Sequence, residues 1–228
     1  MKKFLISFVF VLSISFFVTG CDKNSESSNT ATGKNLNNNQ KKSVNKVTND
    51  LEKKIKTSGA VTSEGKLVVF VTNENSVAVD MKIEAEFYDA DGTIVGSDDE
   101  ILEAVGSDSE IVVEMYSTPE SFDNYKIYVD VNQSSFTTFF DKLEISHNNN
   151  GEEIVVQVKN NSSDEIEYMT VAVVFYQGDK VVGYDSDVAS KIKSGRSGNF
   201  KLMYPYDKNY HDIYYDNYKV FVTEAYTY

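Results

Sequence analysis

One stretch of this chain occurs twice. Asp123-Asn124-Tyr125-Lys126-Ile127-Tyr128-Val129 returns as Asp216-Asn217-Tyr218-Lys219-Val220-Phe221-Val222. Upstream, Met115-Tyr116 aligns with Met203-Tyr204 and Phe87-Tyr88 with Phe175-Tyr176. Asn73, after Leu67-Val68-Val69-Phe70-Val71, aligns with Asn160, after Ile154-Val155-Val156-Gln157-Val158. Matches in one order, at offsets of 87 to 93, predict two homologous units over 57–132 and 140–228.

Both units read as β. Met81, Ile83, Ala85 and Phe87 alternate with Lys82, Glu84, Glu86 and Tyr88, the period of a half-buried strand. Met169, Val171, Val173 and Phe175 repeat the inward set. Asp91-Gly92, Asn150-Gly151 and Gly178-Asp179 are hairpin dipeptides. Six or seven short strands per unit, with no long helical pattern, predict an all-β body of two tandem small immunoglobulin-like β-sandwich domains.

Each unit resembles the FxLYD-type domain of Gram-positive lipoproteins, and the resemblance covers nearly all of the body. It is carried by an apolar-Tyr-Asp step before a turn, Phe87-Tyr88-Asp89-Ala90-Asp91-Gly92 and Phe175-Tyr176-Gln177-Gly178. Ala85 and Val173 stand where the motif has Phe, Phe87 and Phe175 where it has Leu, and Gln177 replaces Asp. The resemblance implies a sandwich fold and a non-catalytic surface module.

The first residues suggest an address. Lys2 and Lys3 precede an apolar run from Phe4 to Val18, and Val18-Thr19-Gly20-Cys21 ends it at the only cysteine. A basic start, a short apolar run and small residues make a secretory signal. Its ending resembles a lipobox, predicting a signal peptide over 1–20 and a diacylglycerol-anchored Cys21. The run is too short for a membrane span, which needs about 20 apolar residues. No second apolar stretch follows, and Tyr228 ends the chain without a hydrophobic tail or sorting motif. The expected location is the extracellular face of a bacterial cytoplasmic membrane. With Cys21 committed to lipid, no disulfide is expected, and Phe and Tyr, 13% of the chain, supply much of the core.

Residues 21–56 read as a flexible tether, rich in Asn, Ser, Thr and Lys. Val44, Val47, Leu51 and Ile55 fall at helical spacing, with Asn49 and Glu52 placed to cap a short fraying helix. Residues 22–58 carry eight Lys against four acids, whereas residues 59–228 hold a net charge of −19. Anionic lipid attracts the first and repels the second. A body this acidic has little with which to neutralise phosphates, so nucleic acid is excluded as a partner. The acidity serves solubility, or attracts a basic partner or cations.

Candidate chemistry is sparse. Asp89, Asp91, Thr93, Val95, Ser97 and Glu100 have EF-hand spacing, but Ile94 occupies the position that needs Gly; a plain turn is expected. His147 and His211 are the only histidines, and no Cys cluster or HExxH spacing accompanies them. Gly195-Arg196-Ser197-Gly198 lacks the spacing of a nucleophile elbow. No catalytic residue, metal ligand or cofactor is assigned.

Two differences between the units bear on function. Tyr116 to Asp123 spans 7 positions, whereas Tyr204 to Asp216 spans 12. The longer connection holds Tyr206, Tyr210, His211, Tyr214 and Tyr215. Such residues suit contact with an envelope protein or glycan, or they cover the end of the second core. The second difference is that Thr170, Ala172 and Val174 replace the outward Lys82, Glu84 and Glu86. A strand apolar on both faces is covered, by the other domain or by an external partner. The expected function is a non-catalytic binding or interaction module; the alternatives are an envelope-associated hydrolytic enzyme using Asp/Glu residues, or a passive spacer.

Overall fold

The computed structural model describes residues 50–207 and 209–228. The expected signal peptide, Cys21 and the expected tether up to residue 49 lie outside the described residues, and the rest of the tether expected to 56 instead holds a 3-10 turn over Glu52–Lys54 and the start of the first strand. Within the described residues the fold is all-β. The first half contains β1 (Ile55–Val61), β2 (Leu67–Asn73), β3 (Val79–Tyr88), β4 (Ile94–Val105), β5 (Ser109–Met115) and β6 (Asn124–Gln133). A short β7 (Thr137–Thr138) precedes the second half, which contains β8 (Leu143–Asn149), β9 (Glu153–Asn160), β10 (Ile166–Gln177), β11 (Lys180–Ile192), β12 (Ser197–Met203) and β13 (Asn217–Thr227).

The two halves share one topology. Sheets β1-β2-β5 and β4-β3-β6 face each other in the first, and β8-β9-β12 and β11-β10-β13 do so in the second, with β7 added beyond β13. The predicted alternation fills both cores. Met81, Ile83, Ala85 and Phe87 are buried with Leu67, Val69 and Val71; Met169, Val171, Val173 and Phe175 are buried with Ile154, Val156 and Val158. The hairpin dipeptides join β3 to β4, β8 to β9, and β10 to β11.

Each core is capped by a buried asparagine. Asn73 Nδ2 donates to the carbonyls of Val77, Val105 and Gly106 at 2.8–3.2 Å, and its Oδ1 accepts from the Asn75 amide. Asn160 Nδ2 donates to Asp164 and Ile192 carbonyls at 2.7 and 2.9 Å, and its Oδ1 accepts from the Ser162 amide. Both side chains are fully buried. Each therefore satisfies loop carbonyls that water cannot reach. A left-handed residue precedes the acceptor in both halves, Ala104 at φ 55° and Lys191 at φ 58°.

The chain's two prolines mark a second repeated device. A Cβ on Gly96 would lie 2.6 Å from Pro119 Cγ, and Pro205 packs as closely over Gly183. In both halves the loop before the last strand thus lies directly on β4 or β11, where only glycine leaves room.

Two readings of the sequence need correction. Leu51 and Ile55 do not share a helix: Glu52–Lys54 form one 3-10 turn and Ile55 begins β1. Ile55 pairs with Asn73, and a strand edge with an apolar core face outcompetes a short helix. Val44 and Val47 lie outside the described residues. The match of Met115-Tyr116 to Met203-Tyr204 is also one residue out of step. Leu67 pairs with Met115 and Ile154 with Leu202, so Met115 corresponds to Leu202. Met115 is fully buried, whereas Met203 is 53% exposed, the face reversal that a one-residue slip produces.

The apolar outward face of β10 is covered by the first half. Val68 and Val112 of that half pack with Ala172, Val174, Val181 and Phe221 of the second, and Phe70 meets Phe221 edge-on at 6.1 Å. Thr170 lies at the margin, its hydroxyl donating to Glu224. The segment between the halves is itself anchored. Phe139 is buried in the second core, and Phe140 packs against both cores and onto Gly106.

Replacing Asn73 by Ala would strand loop carbonyls at roughly 1–3 kcal/mol each. Chemical denaturation should show a loss of about 3 kcal/mol, and Asn73→Asp, which turns a donor into an acceptor at the same shape, should cost at least as much.

Candidate functional site

The longer connection of the second half, between β12 and β13, folds on itself. Tyr206 and Asp212 form an isolated bridge, Asp207 N donates to His211 O at 2.8 Å, and Ile213 N donates to Pro205 O at 2.8 Å. Asp207 organises the tip: its Oδ1 accepts from Asn209 N at 2.8 Å and His211 N at 2.9 Å, and its Oδ2 lies 3.3 Å from His211 Nδ1. These donors, the His211 amide foremost, hold the Asp207 carboxyl below the usual carboxylate range. Tyr210 sits at the turn with φ 63°, and Ile213 packs on the second core and pins the loop's base.

The five candidate residues divide. Tyr206 and Tyr210 stack at 5.8 Å between centroids, 46% and 84% exposed, and Tyr214 is 69% exposed. His211 is exposed beside them. Tyr215 is different. Its ring meets Phe175 at 4.8 Å, as Phe122 meets Phe87 at 4.9 Å in the first half. Its hydroxyl accepts from Asn149 Nδ2 at 2.9 Å, and burial together with Tyr204 pushes its phenol up to about 12. Tyr215 is thus the counterpart of Phe122 and closes the core; the step Phe122-Asp123-Asn124 against Tyr215-Asp216-Asn217 carried that signal.

The other sequence candidates are structural. Asp89 Oδ1 accepts from the amides of Asp91 and Thr93 at 3.0 and 2.8 Å, with Gly92 at φ 79°, which is hairpin-turn chemistry. In the second half, where Gln177 replaces that Asp, Asp216 Oδ2, just before β13, caps the turn by accepting from Gly178 N at 2.9 Å. His147 Nδ1 lies 3.0 Å from the Tyr218 hydroxyl, their rings edge to face. Among the described residues, no group of three or more His, Cys, Asp or Glu side chains is placed to hold a metal ion.

A second feature was not singled out from the sequence. A cleft of about 200 Å³ opens along the seam between the halves, lined by Glu64, Glu114 and Tyr116 from the first and by Tyr184, Asp185, Tyr204 and Tyr206 from the second. Burial pushes the Glu114 carboxyl up to about 7, with Glu64 and Asp185 adding repulsion against the opposing pull of Lys66. Asp185 is also raised by burial, although its Oδ2 accepts from Met203 N at 2.6 Å. A carboxyl held near neutrality in this way can donate a hydrogen bond or exchange a proton at physiological pH. The clue in the sequence was Leu67-Val68-Val69-Phe70-Val71, apolar at every position and hence covered on both faces, with Glu114 opposite Val68.

No family model and no curated protein matches this chain. Among solved structures, red sea bream transglutaminase is similar over 66% of this chain and 31% of its own length, at 10% identity and a TM-score of 0.21. The chain therefore spans about a third of that protein, and a likeness at this score carries no argument about fold or activity.

Tyr215→Ser should lower the melting temperature by several degrees, because it removes a core ring. Tyr210→Ser and Tyr214→Ser should each leave it within about 1–2 °C, as surface changes do. Thermal scans of the three variants check this division.

Proposed function

We propose that this protein is a non-catalytic interaction module of a bacterial envelope, anchored through a diacylglycerol on Cys21. In this reading two immunoglobulin-like sandwiches of FxLYD type are carried above the membrane on the basic tether. Contact with an envelope protein or glycan is made through Tyr206, Tyr210, His211 and Tyr214. The observation that carries the proposal is the exposed, stacked Tyr206–Tyr210 pair on a loop held by its own hydrogen bonds.

That arrangement suits recognition for a physical reason. Tyrosine offers a broad flat face and a hydroxyl with only two side-chain torsions to immobilise. The bridge between Tyr206 and Asp212 and the ring of bonds around Asp207 set the loop's shape before any partner arrives. Pre-organisation of this kind lowers the ordering cost of association. The first half has no equivalent. Met115 to Phe122 spans seven positions, whereas Leu202 to Tyr215 spans thirteen, and the extra length is the tyrosine loop.

The test is a triple variant, Tyr206→Ser, Tyr210→Ser and Tyr214→Ser, displayed on cells and assayed by crosslinking from the loop to envelope components. The expected result is loss of crosslinked partner by ten-fold or more, with the melting temperature within about 3 °C of the parent. Undiminished crosslinking would overturn the loop as the contact surface. Retention of the Cys21→Ser variant at the membrane would overturn the lipid anchor.

A further inference from the structure

The seam cleft, which Tyr206 of the tyrosine loop also lines, carries an inference that rests on its acids. Two sandwiches meet there through a small apolar patch, Val68 and Val112 against Ala172, Val174, Val181 and Phe221. Few polar bonds cross it. Ser63 N donates to Val182 O at 3.3 Å, Glu103 N to Glu224 Oε1 at 2.9 Å, Thr223 Oγ1 to Val112 O at 3.2 Å and Tyr226 Oη to Glu103 Oε2 at 2.6 Å. Lys219 and Glu110 add an exposed ion pair at the edge.

Beside this patch stands Glu114, on the outward face of β5, lining both the 200 Å³ cleft and a neighbouring one of about 220 Å³. It is surrounded by acids from both halves. The turn between β1 and β2 presents Glu64 and Lys66, and the end of β5 presents Tyr116. From β4 comes Glu100, from β10 Tyr168, from β11 Tyr184 and Asp185, and from β13 Glu224. Lys66 is the only cation among them, and its Nζ donates to the Tyr116 carbonyl at 2.7 Å. No hydrogen-bond donor among the described residues reaches the Glu114 carboxyl.

We propose that the seam is a proton-controlled clamp, closed while Glu114 carries its proton and loosened when that carboxyl ionises between Glu64 and Asp185. The geometry sets the direction. In the closed form a second and a third negative charge lie across the same small cleft, so ionisation costs energy; in a loosened form water screens all three. The loosened form therefore releases the proton more readily. Closure is favoured at low pH and weakens as pH rises from the ordinary glutamate range, near 4.5, to about 7, and it changes little above that.

Amide hydrogen exchange on the full chain tests the clamp, because the Ser63 and Glu103 amides are bonded across the seam. Val69 and Val171, in the central strands β2 and β10, serve as internal controls. After correction for the intrinsic pH dependence of exchange, seam protection should fall about ten-fold between pH 5 and pH 8 while the controls stay constant. That is well below the limit for a fully buried group, because Glu114 keeps some contact with water. Glu114→Gln should remove most of that fall, leaving the smaller response of the other seam carboxyls that burial raises, Asp185 and Glu224 among them. The proposal is overturned by flat protection in the parent, by an unchanged pH response in Glu114→Gln, or by controls that fall together with the seam.

Discussion

The structure depends on burial of apolar strands from two sides. A sandwich needs only one apolar face per sheet, yet β2 and β5 in the first half, and β10 and β13 in the second, carry apolar side chains outward as well. Left in water, that outward surface would cost roughly 25 cal/mol for each Å² exposed. Placed together, Val68 and Val112 with Ala172, Val174 and Phe221 form a third small core between the two main ones. This junction turns two similar modules into one body. It also decides what else comes together, since Glu64, Glu114 and Asp185 face one cleft only because the sheets beneath them share that patch.

Duplication shows which parts of a module are structural. Asn73 and Asn160, Gly96 under Pro119 and Gly183 under Pro205, and Phe122 against Phe87 with Tyr215 against Phe175 recur because each solves the same local problem. Other parts do not recur. The first half has a charged face on β3, with Lys82, Glu84 and Glu86, whereas the second has Thr170, Ala172 and Val174. The second alone has the tyrosine loop. The halves thus differ in one sheet face and one loop, without a change of topology.

Much of this could be read from the residues. The two-residue alternation in Met81–Tyr88 identified a strand and its inward face, and the Gly-containing dipeptides placed the hairpins. The apolar outward side of β10 told that something covers it. Other features were hidden for physical reasons. Residues that look alike at Met115 and Met203 face opposite ways, because a strand's period is two and the connections between strands absorbed one residue. A tyrosine ring that plugs a core and one that faces solvent have the same composition, so Tyr215 could be told from Tyr214 only through its counterpart in the first half, Phe122. The seam acids come from turns and strands distant in sequence, and only the packing of one half on the other joins them. Residues that match no spacing rule formed the cleft.

The short strand β7 has a further consequence, for the order in which the molecule can be completed. Thr137 and Thr138 pair with Thr227 and Tyr226, and Phe136 packs tilted on Tyr226 and edge-on to Tyr228, each at 5.1 Å. The connector between the halves is therefore fastened by β13, which follows every other strand in chain order. During synthesis the first sandwich has all its strands before β13, and hence before this fastening, exists, and until then Phe140 is the connector's hold on the first half. One strand thus closes two things at once, since β13 pairs with β10 to complete the second sheet and with β7 to hold the connector against it.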